Sequence, residues 1–156
     1  GLNLGVDFLP GSLTFSPAAG PAPDPVLAAD VVWFDALVPN VDRMPQNPNL
    51  LWWHGRLWLI DHGAALYWHH APPEPGFEHG RFPQVRDHVL LPYAGSIADA
   101  DARLAPTVTD ELLRAVVEHL PSAFLDGDDP SAYVDYLRAR LAPPRGFVEE
   151  AERARG

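Results

Sequence analysis

Asn40-Val41-Asp42-Arg43-Met44-Pro45-Gln46-Asn47-Pro48-Asn49, followed by Leu50-Leu51-Trp52-Trp53-His54-Gly55-Arg56-Leu57-Trp58-Leu59-Ile60 and then Asp61-His62-Gly63, is the stretch that decides the fold. Its first ten residues are rich in Asn, Asp, Arg, Pro and Gln, the types that make turns and polar sites, so residues 40–49 read as a loop dense in chemistry. Two β-prone runs then flank His54-Gly55, and a two-residue spacer between such runs predicts a β-hairpin that delivers Asp61 at its end. A hairpin returns the chain to where it began, so Asn47 and Asp61 fall close together although fourteen positions apart.

Working outward, Asp24-Pro25 is a cap followed by a proline at the first helical position. The apolar residues after it predict a well-buried helix over Pro25–Leu37, stopped by Pro39. Upstream, residues 1–24 hold four Gly and four Pro and read as loop with one short strand. Downstream, a Pro-, Gly- and His-rich connection runs from residue 67 to 83, and the second half is helical. One short helix is expected over residues 83–91. Another, capped at Thr109-Asp110-Glu111, places Leu112, Leu113, Val116, Val117 and Leu120 on one face and ends at Pro121. A third opens at Asp129-Pro130 with a stripe of Tyr133, Val134, Leu137 and Leu141, and residues 147–155 suggest a charged, frayed terminal helix. The expectation is an α+β fold, mostly helical, forming a single domain over residues 1–156 without internal repeats.

Composition narrows the function. The 156 residues carry a formal charge of −10, and a surplus of carboxylates repels a phosphate backbone, which removes the main driving force for nucleic-acid binding. With no Cys, disulfides, thiolate zinc sites and a Cys nucleophile are excluded, and a cytoplasmic location is expected. All eleven basic residues are Arg, so any chemistry that needs an in-chain ammonium is absent. No run of about 18 apolar residues is present, so no membrane partner is expected. The chain starts with Gly, and its one Met is Met44, which suggests a piece of something longer.

Asp42 and Asn47 supply the D-x-x-x-x-N spacing, and Asp61 with Gly63 supplies D-x-G. Phosphoryl transfer needs a carboxylate to orient and deprotonate the acceptor hydroxyl, together with oxygen ligands that hold magnesium on the phosphates. In this scheme Asp42 is the catalytic base, Asn47 and Asp61 are the magnesium ligands that also hold the nucleotide, and Arg43 steadies either the loop or a phosphate.

The words Phe34-Asp35-Ala36-Leu37-Val38-Pro39-Asn40-Val41-Asp42-Arg43, Asn47-Pro48-Asn49-Leu50-Leu51 and Leu57-Trp58-Leu59-Ile60-Asp61-His62-Gly63 resemble the catalytic loop and metal-binding segment of the HipA-like kinases, a bacterial branch of the protein-kinase-like fold. The resemblance is strong over residues 31–66 and weaker beyond, where Asp87-His88-Val89-Leu90-Leu91-Pro92 is similar to that family. It implies a C-terminal catalytic lobe with the N-terminal lobe and its phosphate-binding Lys absent. It also implies ATP and Mg2+ as cofactors, a nucleotide and a hydroxyl acceptor as partners, and catalytic roles for Asp42 and Arg43 with Asn47 and Asp61 on the metal.

Other readings compete. Asp35 and Asn40 repeat the same five-residue spacing, but Asp35 falls inside the expected helix and reads as structural. His62, His69, His70, His79 and His88 with Asp61 and Glu78 offer imidazole and carboxylate ligands for a metal-dependent hydrolase, although no H-x-x-x-H spacing supports it. In the kinase reading His62 packs the segment after Asp61, His88 bonds within the core and His54 is a turn residue. The five Trp are expected in the core rather than as stacking platforms. The Gly1–Gly5 segment lacks the spacing of a phosphate-cradling loop. A noncatalytic lobe used as a binding module is a third possibility, which the intact Asp42, Asn47 and Asp61 oppose.

Overall fold

The computed structural model describes residue 5 and residues 7–66, 76–125 and 129–156. Helix α1 spans Pro25–Leu37 as its cap and proline predict: the Asp24 carboxylate accepts from the Val26 and Leu27 amides at 2.9 and 3.0 Å, a cap contributing about 1 kcal/mol. Eight of the thirteen residues of α1 are buried, including Val31, Val32, Trp33, Ala36 and Leu37, while Val26, Leu27 and Phe34 face solvent. Each fully buried Val or Leu contributes about 1.5–3 kcal/mol, so this helix is the axis of the core.

A three-stranded antiparallel sheet in the order β1-β2-β3, formed by Leu13–Thr14, Leu50–Trp53 and Arg56–Leu59, contributes Leu50 to the same core. Strands β2 and β3 make the expected hairpin, with Leu50 opposite Leu59 and Trp53 opposite Arg56. Its turn residues, His54 and Gly55, have φ of 48° and 73°. That left-handed pair matches the right-handed twist of the strands, and glycine takes it at no steric cost. The short N-terminal strand expected before residue 24 is β1.

Four more helices complete the described residues: α2 (Ile97–Leu104), α3 (Asp110–Glu118), α4 (Ser131–Leu141) and α5 (Gly146–Arg155). Periodicity alone does not find α2, which is short and polar on its outer face. Its start is capped twice, by the Ser96 hydroxyl on the Asp99 amide and by Glu152 of α5, whose carboxylate accepts from the Ile97 and Ala98 amides at 2.7 and 3.0 Å. Helix α5 is therefore not frayed: Phe147, Glu150 and Ala151 are buried, and it packs on α1, α2 and the 83–87 segment.

Two further expectations change. Residues 83–91 do not form one helix but two short 3-10 turns, Pro83–Asp87 and Leu91–Tyr93, because His88 between them is extended and committed to the core. On α3 only Leu113 is buried, while Leu112, Val116 and, just past its end, Leu120 face solvent. Of the tryptophans, Trp33 is core and Trp52 packs against it. Trp53 and Trp58 instead meet edge-on at 5.4 Å on the outer face of the hairpin, Trp58 being partly exposed. Trp68 lies outside the described residues.

Candidate active site

The 40–49 loop hangs from one buried carboxylate. Asp35, on the last turn of α1, is 0% exposed. Its oxygens accept from the Asn40 amide at 3.0 Å, from Arg43 Nε and from His88 Nε2 at 2.9 Å, and its main-chain carbonyl accepts the Asn40 amide N–H at 2.8 Å. His88 is fixed as the Nε2–H tautomer, because its Nδ1 accepts from the Leu90 amide at 3.1 Å. Burial pushes the Asp35 carboxyl up, but hydrogen bonds from His88 and Arg43 and the Arg43 charge outweigh it and hold the group below its ordinary range.

Arg43 carries this anchor outward. Its Nη1 donates to the Asn49 carbonyl at 2.6 Å and the Ile60 carbonyl at 3.4 Å, so one guanidinium ties α1 to both ends of the hairpin. Its own carbonyl accepts from the Val89 amide at 2.9 Å. With its side chain fully buried, Arg43 offers no surface to a phosphate. Of the two tasks expected of it, steadying the loop is the one its contacts perform.

Asp42 lies on the solvent side of this anchor, part-buried. Its Oδ2 accepts from Asn47 Nδ2 at 2.7 Å and from Asn49 Nδ2 at 3.2 Å, while its amide donates to Asn40 Oδ1 at 3.2 Å. Met44 and Asn47 exchange main-chain hydrogen bonds of 3.2 and 3.0 Å, a tight turn that swings Asn47 back onto Asp42. The structure thus joins the two members of the D-x-x-x-x-N spacing directly.

Asp61 arrives by the hairpin. The Ile60 amide donates to the Asn49 carbonyl at 3.0 Å, one step beyond the strand ladder, so Asp61 stands at the hairpin end that also holds residues 47–49. Among the described residues it is not hydrogen-bonded to Asp42 or Asn47. Its Oδ1 instead accepts from the Gly63 amide at 3.2 Å, and its φ is 48°. A Cβ on residue 63 would sit 3.2 Å from that same oxygen, which gives the glycine of D-x-G a steric reason. His62 packs edge-on to Phe34 at 6.1 Å. Burial and the Arg43 charge push its imidazole below the ordinary value, against the pull of Asp35 and Asp61.

Asn49 was given no role by sequence reasoning, yet it touches both halves of the site. Its φ of 48° lies in the left-handed region, which Asn tolerates better than most residues. An Asn immediately before a β-prone run is the signal that could have found it.

The described histidines do not assemble. His88 is committed to Asp35 and Leu90, His79 lies 3.7 Å from Glu78, and His54 meets Trp53 edge-on at 4.2 Å. Among the described residues no group of three or more His, Asp or Glu is placed to hold a metal ion, and His69 and His70 lie outside those residues.

Two clefts flank the loop. One, of about 600 Å3, runs between Met44, Pro45 and Gln46 and the Arg86, Pro92 and Tyr93 side. The other, of about 280 Å3, is lined by Pro39, Val41, Phe77, Phe82 and Arg140. No helix among the described residues is long and apolar enough to cross a membrane.

Comparison with protein-family models, with curated proteins and with solved structures finds no match for this chain. Its own geometry is that of an α+β protein whose three-stranded sheet and first helix present an Asp–Asn loop above a buried ion pair.

Proposed function

We propose that this chain forms the catalytic loop and cation-binding segment of a kinase that transfers the γ-phosphate of ATP to a hydroxyl. The single observation that carries the reading is the 2.7 Å hydrogen bond from Asn47 to Asp42, on a loop fixed from beneath by Asp35 and Arg43, with Asp61 returned to the same end by the hairpin.

The donor set fits a hard cation. The amide oxygen of Asn47 and the carboxylate of Asp61 are oxygen ligands of the kind Mg2+ takes. Bound there, Mg2+ would neutralise charge on the phosphates. The rest belongs to the chain. Asp42 receives the proton of the acceptor hydroxyl as the acceptor oxygen bonds to the γ-phosphorus and the bond from that phosphorus to the β–γ bridging oxygen breaks, with ADP leaving. Asp35, Arg43 and His88 hold the loop so that this carboxylate needs no reorganisation, and positioning of that kind is most of what phosphoryl transfer asks of a protein. The remaining contacts to the nucleotide, including the phosphate-binding Lys, come on this reading from an N-terminal lobe.

Calorimetric titration of ATP into the full-length protein, with and without Mg2+, tests the proposal. Magnesium-dependent binding that Asp61→Ala weakens is the expected result. Binding that ignores Mg2+, or an Asp61→Ala protein that titrates like the wild type, overturns the ligand assignment. Absence of any binding favours the noncatalytic module.

A further inference from the structure

Both side-chain amides that reach Asp42 take the same oxygen. Asn47 Nδ2 and Asn49 Nδ2 donate to Oδ2, at 2.7 and 3.2 Å, and among the described residues no hydrogen bond falls on Oδ1. One oxygen of the carboxylate is thereby held by two amides, and the other carries no hydrogen bond among the described residues. The two fasteners are unlike each other. Asn47 is exposed on the Met44–Asn47 turn, and in the kinase reading its amide oxygen also serves the cation. Asn49 is 9% exposed and has no second duty. Its main-chain carbonyl is gripped by Arg43 Nη1 at 2.6 Å and by the Ile60 amide at 3.0 Å, and its left-handed backbone fixes the direction in which the side chain leaves.

We propose that Asn49 is the positioning residue of the site: it keeps Asp42 Oδ2 bound and Oδ1 directed at the acceptor throughout the transfer, while Asn47 attends to the cation. This rests on the kinase reading and assigns a residue that reading does not require. The grip also explains why the guanidinium is buried where it is. Arg43 holds the carbonyl of the very residue whose side chain holds Asp42, so the ion pair beneath the loop acts on the reacting carboxylate through one intermediate.

Two substitutions separate positioning from backbone shape. Asn49→Gly keeps the left-handed φ without a donor, and Asn49→Asp keeps size and left-handed tolerance but replaces the donor by an acceptor. In the full-length protein both are expected to lower kcat roughly 10- to 100-fold, as loss of an orienting partner does, with KM for MgATP within about two-fold. Asn47→Ala is expected to raise that KM as well. A second readout needs no turnover: in 15N NMR spectra the Asn49 side-chain amide of the nucleotide-free protein should shift on Asp42→Asn, and should keep its wild-type position when MgATP is added.

Wild-type kcat in both Asn49 variants reduces Asn49 to a left-handed backbone residue and overturns the proposal. An Asn49 amide that does not respond to Asp42→Asn overturns it too. A wild-type protein with neither transfer nor MgATP binding overturns the kinase reading and this role with it. That failure is distinguishable, because the Asn49 amide would still respond to Asp42→Asn in a protein without turnover.

Discussion

The same five-residue spacing occurs twice, seven positions apart, and makes the same bond twice. Asn40 donates to Asp35 at 3.0 Å and Asn47 donates to Asp42 at 2.7 Å. What differs is the surroundings. Asp35 and Asn40 are sealed, and every oxygen of that carboxylate is spoken for by Asn40, Arg43 or His88. Asp42 and Asn47 lie at the surface, with one carboxylate oxygen free of hydrogen bonds among the described residues. Spacing decides which side chains meet, whereas burial decides whether the pair holds the fold or remains able to react.

The contrast breaks most visibly at Asp35. Asp35→Ala leaves Arg43 buried without its counter-charge, and removing one partner of such a pair costs about 3–5 kcal/mol. Urea denaturation should show that loss, while Asp42→Ala should change the midpoint little. Equal losses at the two positions would dissolve the distinction between anchor and site.

Turnover should rank them the other way. On the kinase reading proposed above, Asp42→Asn in the full-length protein is expected to lower kcat roughly 100- to 10,000-fold with folding intact, the range for loss of a general base. Unchanged kcat removes Asp42 from the mechanism.

Acid should reach the two regions at different pH. The Asp35 carboxyl is held below its ordinary value of 3.8, so its contribution to stability is complete above that pH and is lost as pH falls through the folded-state value. The His62 imidazole is also lowered, from 6.5, so the unfolded chain binds the extra proton first and stability declines as pH drops below 6.5 toward the folded value. Melting temperatures recorded from pH 7 to pH 3 should show both declines, and His62→Asn should abolish only the upper one.

Gly63→Ala sharpens the site side of the comparison, since its Cβ would press to 3.2 Å from Asp61 Oδ1. About ten-fold weaker MgATP binding with an unchanged melting temperature is expected; equal affinity would free Asp61 from any dependence on that glycine. The smallest effect belongs to the periphery. Arg138 bridges Asp110 and Asp135 at 2.5 and 3.1 Å, as short as many contacts inside, yet all three side chains are exposed. Arg138→Ala should leave the melting temperature within about 2 °C, because solvent and salt screen such pairs. A large drop there would show that burial is not the deciding variable.

Much of this was legible in order along the chain. Asp24-Pro25 marks the start of α1 and Pro39 its end, and His54-Gly55 marks the hairpin turn, because caps, prolines and turn glycines act through local backbone geometry. The bond between Asp42 and Asn47 is equally local, although the sequence reading had their spacing and not their contact. Less legible were α2, whose start is completed by Glu152 from a helix more than fifty residues later, and the 83–91 segment, where His88 reaches fifty-three positions back to Asp35. Arg140 is a further case: it closes α1 by donating to the Ala36 carbonyl at 2.7 Å from a hundred and four positions away.

The sequence alone carried the elements set by neighbours within a few residues: the first helix, the hairpin with Asp61 at its end, and the reading of Asp35 as structural. The tertiary fold alone settled that Asp35 is sealed by Arg43 and His88, that Arg43 points inward to the Asn49 and Ile60 carbonyls rather than outward, and that Asn49 shares the grip on Asp42. The reason is physical. Hydrogen bonds between near neighbours follow from local geometry, but burial is settled by which distant segments close over a residue, and it is burial that fixes whether a charge is structural or free to act.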